Sequence, residues 1–354
     1  MKRSLIDVQG KLNTSHITQN STEVTRNLEK MKFQKDGRGW IMITADVKSM
    51  YPSFDKGTLF QEINRLINFM EYEEDKSYFI KNSLQLVLYN NYFTDGNKIY
   101  KATTGIATGD PTSVILASLV KIAEKTKLIR KYGDKLRLFH RYVDDIFALV
   151  DREFIISFRK DLRTAWHGFE LEIEESTVNV NFLDLKIYRN KKEFRDNTLN
   201  IYRYETKIFQ KEKNLYQYLK WDSDHPIDIF RDIYIGEIYR YLRACSERKE
   251  FEKIKNKFKE RLMNRGWPIK NLIKFDKAAP NFHKRNKVLR KKEKRNFKPS
   301  KLRFKLTFTK NGIDKKMIKE ILKHHWKKLP TDLHDKFPDI HYKYNRNFSS
   351  LFTA

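Results

Sequence analysis

The stretch His140-Arg141-Tyr142-Val143-Asp144-Asp145-Ile146-Phe147-Ala148-Leu149 decides how the rest of the chain is read. Two adjacent carboxylates sit between apolar runs, Leu138-Phe139 before them and Ile146 to Val150 after. Short runs rich in β-branched and aromatic residues read as buried strands, so the pair falls at a tight turn between two strands. Carboxylates at such a place have no apolar partner, and burying them bare is costly. A positive charge belongs there, and a divalent cation is the simplest source of one. The reading is a strand-Asp-Asp-strand hairpin able to hold Mg²⁺.

An isolated Asp-Asp pair is more often a solvated turn. Two features upstream argue against that here. The run Trp40-Ile41-Met42-Ile43-Thr44-Ala45 reads as a strand that ends in a third carboxylate, Asp46. Between the two carboxylate strands lies Gly105-Ile106-Ala107-Thr108-Gly109-Asp110-Pro111-Thr112-Ser113, a tight loop feeding the apolar run Val114 to Val120. A glycine loop at a helix N-terminus offers free backbone N–H groups to an anion.

Composition narrows the class. The chain has 354 residues, 40% of them hydrophobic and 14% aromatic, which is globular rather than disordered. Its formal charge of +28 calls for a polyanionic partner. The charge is uneven: residues 1–200 hold 32 basic and 27 acidic residues, and residues 201–354 hold 41 and 18. Acidic chemistry is therefore expected in the first part and a basic grip in the second. The single cysteine, Cys245, excludes a disulfide framework and a cysteine-based zinc site. No run of 18 apolar residues and no signal-peptide core are present, so an intracellular setting without a membrane is expected.

The remaining elements follow in order. A helix is expected around Ser21 to Met31, another from Lys56-Gly57 to about Met70, and a third over Asp75 to Tyr89, apolar at Phe79, Leu84, Val87 and Leu88. Asn91 to Tyr100 reads as a hairpin turning at Asp95-Gly96. The helix after the glycine loop is expected to run unbroken to Arg130. Glu153 to Trp166 is a helix and Phe169 to Glu174 a strand, and a second hairpin pairs Phe182 to Tyr188 with Leu199 to Tyr204. Helices over Asp228 to Cys245 and Lys249 to Arg265 stop at Gly266-Trp267-Pro268, and Met317 to Trp326 is a further helix. Adjacent His324 and His325 read as surface residues. Lys284 to Lys305 carries twelve basic residues and one acid, Glu293, with Phe297 and Phe304 interleaved. That density favours nucleic-acid backbone contact, by Lys284, Arg285, Arg290, Lys291, Lys292, Lys294 and Arg295.

Three blocks in this order resemble a reverse transcriptase. Asp46 with Tyr51 five residues on is similar to the first palm motif, Gly105 to Ser113 to the second, and Tyr142-Val143-Asp144-Asp145 to the third. Phe182-Leu183-Asp184-Leu185 resembles the primer-grip hairpin. Tyr216 to Pro226, Gly236 to Ser246, Arg265-Gly266-Trp267-Pro268, His325-Trp326 and Tyr342 to Leu351 are similar to the C-terminal region of Penelope-like retroelements, relatives of telomerase. The likeness covers about residues 40–354.

That resemblance implies an α+β fold: a right-hand palm of antiparallel sheet with helices, then a helical thumb and a basic C-terminal extension. It divides the chain into a fingers or connector remnant at 1–39, the palm at 40–205, the thumb at 206–275 and the extension at 276–354. It implies RNA-templated DNA synthesis by two Mg²⁺ ions roughly 3.5–4 Å apart. Asp46 and Asp144 would bridge the metals, Asp145 would complete one shell, and the Val47 carbonyl would face the nucleotide side. Tyr51 matches the position that checks the sugar, while Thr108 and Gly109 lie beside the incoming base. The expected partners are an RNA template, a DNA primer and a dNTP, and the expected location is nuclear rather than organellar. Three features depart from the family. Thr108 stands where it has Gln or Met, and Asp110 where a small neutral residue is usual. The chain also begins closer to the first motif than the family's fingers require. A fragment, a degenerate copy and half of a split enzyme, with a separate chain supplying fingers, all follow as expectations. The competing reading is a catalytically degenerate, reverse-transcriptase-derived nucleic-acid-binding protein. A metal-dependent nuclease would account for the carboxylates but not for Tyr51 or the thumb.

Overall fold

The computed structural model describes residues 2–12, 16–18, 20–31, 33–34, 39–190, 194–196, 199–290, 303–307, 315–326 and 339–343. The chain divides into two compact units, Met1–Asn214 with Tyr241–Ile254, and Leu215–Arg240 with Lys255–Ala354.

The first unit is built on four antiparallel strands, β1 (Trp40–Val47), β2 (Leu136–Tyr142), β3 (Asp145–Asp151) and β4 (Leu171–Ser176). Their spatial order is β2-β3-β1-β4, with Trp40 opposite Asp151 and Ala45 opposite Ile146. On the other side of β1, Met42 faces Ser176 and Val47 faces Leu171. The central strands are apolar at nearly every position because both of their faces are covered. Ile41, Ile43, Ala45, Val47, Ile146, Ala148 and Val150 belong to one core. Trp40, Met42, Phe147 and Leu149 belong to another. A strand buried on both faces loses the polar alternation of a half-exposed one.

The helices of the first core are α1 (Lys2–Lys11), α3 (Lys56–Phe69), α4 (Glu74–Tyr89), α5 (Ser113–Leu119), α6 (Ile122–Tyr132) and α7 (Ile155–Ala165). Asp55 starts α3 by accepting from the Thr58 N–H at 2.7 Å. The second core is closed by α2 (Ser21–Lys30), through Val24 and Leu28, and by a three-stranded sheet. That sheet holds β5 (Asn179–Phe182), β6 (Leu185–Arg189) and β7 (Tyr204–Ile208).

Three expectations are corrected. The apolar stretch after the glycine loop is two helices. It breaks at Val120-Lys121, where Lys121 has φ +60° and its N–H and ammonium both reach Glu62, at 3.3 and 3.1 Å. The second hairpin pairs Asn179–Phe182 with Leu185–Arg189, and the next partner of Leu185–Arg189 is Tyr204–Ile208. Leu199–Tyr202 instead pairs with Phe33–Gln34 and Phe194–Asp196. In α4 the buried stripe is Ile80, Leu84 and Leu88, and Phe79 is exposed. The hairpin Tyr92–Asp95 with Lys98–Lys101 is exposed along its whole length.

The second unit packs parts of α8 (Ile227–Ala244) and α9 (Arg248–Met263) with α10 (Ile269–Ala278) around aromatic rings. Trp221, Phe230 and Trp267 meet with centroids 4.7–5.7 Å apart. Tyr234 stacks on Phe258 at 5.5 Å. Gly266, at φ +81°, and the bond from Trp267 N–H to Leu262 O, 3.1 Å, close the end of α9. The Trp267 indole donates to Leu219 O at 2.8 Å. A short helix, α11 (Arg285–Leu289), follows α10, and Lys315–Trp326 is helical with His324 and His325 exposed. Among the described residues no helix is long and apolar enough to cross a membrane.

Candidate nucleotidyl-transfer site

Each carboxylate is set by the strand that carries it. In β1, Trp40, Met42, Thr44 and Asp46 share one face, as do Asp145, Phe147 and Leu149 in β3. Those faces line the second core, and both aspartates stand at its end, where the apolar cover stops. The register that places Ala45 opposite Ile146 sets Asp46 across from Asp145 one step further on. Tyr142 pairs with Asp145, leaving Val143-Asp144 as the two-residue turn.

The electrostatics agree with this placement. Burial pushes the Asp145 carboxyl up to about 6, with help from the charges of Asp144 and Asp46. Asp46 is also raised, by desolvation first and then by Asp144 and Glu172, against a backbone hydrogen bond from Val47. The cation acting on both is Lys211. Glu172 sits opposite Asp46 on β4. Its carboxylate is held by Lys48 at 2.8 Å, and Lys48 bonds Glu170 at the same distance. Like charges that hold each other's protons are a site that a hard cation would relieve. Among the described residues, no three His, Cys, Asp or Glu side chains already form a group that could hold a metal ion. The donor chemistry fits a divalent cation, and the closing of all three carboxylates around it is not preformed.

The glycine loop meets the first motif through backbone. Gly105 N–H donates to Phe54 O and Ile106 N–H to Tyr51 O, each at 2.9 Å. Gly105 has φ +72°, and a Cβ there would lie 2.9 Å from Tyr51 O and from Pro52 Cα. Only glycine fits. Tyr51 is half-buried, its hydroxyl raised by burial and by nearby Asp144 and Tyr142. Asp110 turns back on its own loop, accepting from the Thr112 N–H at 2.7 Å and from the Thr112 hydroxyl. Both bonds stay within the loop, just before α5 begins at Ser113. Thr108 and Gly109 are exposed at the loop tip.

The first unit thus sets Asp46 across from the Asp144-Asp145 turn, places Tyr51 within reach of the Asp144 charge, and bonds the glycine loop to Tyr51 and Phe54, with Val47 buried next to Asp46. The basic residues belong to the second unit. Lys284 and Arg290 are exposed there, whereas Arg285 is buried beside the Phe282 ring at 5.8 Å. Lys291, Lys292, Lys294 and Arg295 lie outside the described residues. Sequence reasoning missed Arg141, Glu172, Lys48 and Lys211. Glu172 alone carries a signal, as an acid in a strand adjacent to the first motif.

The chain has similarities among solved structures. The telomerase of Candida albicans, in complex with a TWJ fragment of telomeric RNA, matches 78% of this chain with a TM-score of 0.53 and 12% identity. The fold is similar to that of this telomerase. Telomerase from Candida tropicalis, also with a TWJ fragment, matches 81% of the chain at a TM-score of 0.44 and 14% identity. The RNA-dependent RNA polymerase of a human picobirnavirus matches 74% at 0.44 and 11%. The chain spans about half the length of each of them, 50%, 52% and 49%. A family model described as the animal helix-turn-helix domain matches residues 217–275, within which α10 follows α9. No curated protein matches the chain.

Proposed function

We propose that this chain is the catalytic part of a template-directed nucleic-acid polymerase, a reverse transcriptase of the Penelope-like kind. On this reading the palm spans residues 40–205, the helical thumb 206–275 and the basic extension 276–354. The observation that carries the proposal is the strand register that sets Asp46 across from the Asp144-Asp145 turn, with the Gly105 loop bonded to the Tyr51–Phe54 segment that follows Asp46. Asp46, Asp144, Asp145 and the Val47 carbonyl would hold two Mg²⁺ ions. When bound, these would stabilise the attacking and leaving oxygens of phosphoryl transfer. The protein's own part is placement. Tyr51 presents its ring under the sugar, where a 2′-hydroxyl would clash. The loop at Thr108 and Gly109 would lie beside the pairing base, and the 2.9 Å backbone bonds from Gly105 and Ile106 hold the base of that loop against Tyr51 and Phe54. Exposed Lys284 and Arg290 would meet the phosphate backbone of an RNA template and DNA primer.

A second reading, a non-catalytic nucleic-acid-binding derivative, draws support from the carboxylates' not being gathered into a ready metal group among the described residues. Primer extension separates the two. The wild-type chain should extend a DNA primer on an RNA template with Mg²⁺ and dNTPs, and Asp144→Asn should abolish extension while nucleic-acid binding stays within about twofold. Binding without extension, unchanged by Asp144→Asn, would favour the second reading.

A further inference from the structure

Arg141 precedes the Asp-Asp turn and is completely buried. Its guanidinium satisfies four backbone carbonyls from two elements. Nε donates to Val143 O at 2.7 Å, Nη1 to Ser118 O and Val120 O at 3.1 Å each, and Nη2 to Ala117 O at 2.5 Å. Its planar face lies 4.6 Å from the centre of the Trp166 ring. The main chain of Arg141 is pinned as well, its N–H to His16 O at 2.9 Å and its carbonyl to Thr18 N–H at 2.8 Å.

The acceptors explain why the residue is arginine. Ala117, Ser118 and Val120 end α5, the helix that leaves the glycine loop. The last carbonyls of a helix have no partner within it and carry the negative end of its dipole. A carbonyl can only accept, so buried carbonyls need donors, and a guanidinium offers five in a rigid plane. The fourth acceptor is the peptide that leads into Asp144. Val143 has φ +54°, a conformation that costs a β-branched residue roughly 1–2 kcal/mol. Something must hold it there, and the bond from Arg141 is placed to do so.

We propose that Arg141 is a positioning residue. It locks the Asp144-Asp145 turn to the C-terminal end of α5, and so fixes the two carboxylates relative to the glycine loop. It touches neither substrate nor metal. Its effect on rate rests on the polymerase reading, whereas its effect on the turn does not.

Hydrogen–deuterium exchange on the full chain tests the second claim directly. Arg141→Lys keeps the charge but supplies a single amine in place of a four-bond fork. Exchange should rise at least about tenfold in peptides covering 113–121 and 142–146, while α3 and β4 keep their protection. An unchanged pattern, or a uniform rise across the unit, would show that Arg141 only contributes general stability and would overturn the proposal. If Arg141→Lys does not fold, Trp166→Phe, which reduces the ring under the guanidinium, should give a smaller rise in the same two segments. A uniform rise there would overturn the proposal equally. In primer extension Arg141→Lys should lower kcat about 100-fold, the scale of an ångström-sized misplacement, with the nucleotide KM within about threefold. A wild-type chain that does not extend primers would remove the polymerase reading, and the exchange pattern would still decide the role of Arg141.

Discussion

Two buried histidines should make the first unit acid-sensitive well above the usual carboxylate range. His140 lies on β2 with both ring nitrogens engaged, one with the Thr18 hydroxyl and the other with the Asn27 amide at 3.2 Å. Burial pulls its pKa down to about 4. His16 packs edge-on against Phe139 and is likewise lowered to about 4, by burial and then by the charge of Arg141. Both titrate near 6.5 when unfolded, so between pH 6.5 and 4 the unfolded chain binds more protons and stability falls as pH falls. Each pH unit in that window costs up to about 1.4 kcal/mol per histidine, or roughly 3 kcal/mol each across it. Asp145 acts with the opposite sign. Its carboxyl is raised to about 6, so below that pH the folded state gains a proton that the unfolded state lacks. Set against the two histidines, Asp145 reduces the wild-type slope between pH 6 and 4 to at most about one proton, up to about 1.4 kcal/mol per pH unit. Asp46 is raised too and works in the same direction as Asp145. In an Asp46→Asn, Asp145→Asn background the slope should steepen toward about 2.7 kcal/mol per pH unit. Urea unfolding at pH 7.5, 6.5, 5.5 and 4.5 measures it. A stability that stays flat from pH 6.5 to 5 in that background, or a slope that persists after His16→Phe and His140→Gln, would refute the reasoning.

Other outcomes follow from the same structure. Gly105→Ala should cost about 2–4 kcal/mol in urea unfolding, because its Cβ would meet Tyr51 O and Pro52 Cα at 2.9 Å in backbone at φ +72°. Gly109→Ala, at φ +93° but with open space around it, should cost only about 1 kcal/mol. On the polymerase reading, Tyr51→Ala should admit ribonucleotides with little loss of folding, and unchanged selectivity in an active variant would reduce Tyr51 to packing. Replacing exposed Lys284, Lys287 and Arg290 together by Gln should weaken all nucleic-acid sequences alike and flatten the logarithmic salt dependence by up to about 2–3. A sequence-selective loss in a binding titration would argue against backbone contact.

The elements around the carboxylates were legible because their signals are local. Continuous apolar runs in β1 and β3 reflect cover on both faces, and the helix opening at Lys56-Gly57 follows soon after Pro52 in sequence. What was not legible depends on partners far along the chain. Nothing between Val114 and Arg130 announces the break at Lys121, which Glu62 holds from another helix. Arg141 reads as an ordinary polar residue near a turn, and only the fold brings the end of α5 to it. The α4 stripe was misread by one position because Phe79 is apolar, while the spacing Ile80, Leu84, Leu88 sets the buried face. As partners for β6, the segments Leu199–Tyr202 and Tyr204–Ile208 look alike in sequence, and short strands of similar composition carry little register information.

The contact between Gly105 and the Tyr51-Pro52 turn is made of main-chain atoms on both sides. A joint of that kind does not depend on which side chains flank it. Thr103, Thr104 and Thr108 are all exposed around it, and they can change identity without moving the tyrosine or the carboxylates. The frame and the selectivity of the site are thereby separable traits. On the polymerase reading, a lineage could retune the loop tip toward a different template or nucleotide by single substitutions, while any replacement of Gly105 itself would disturb the frame on which every such variant relies.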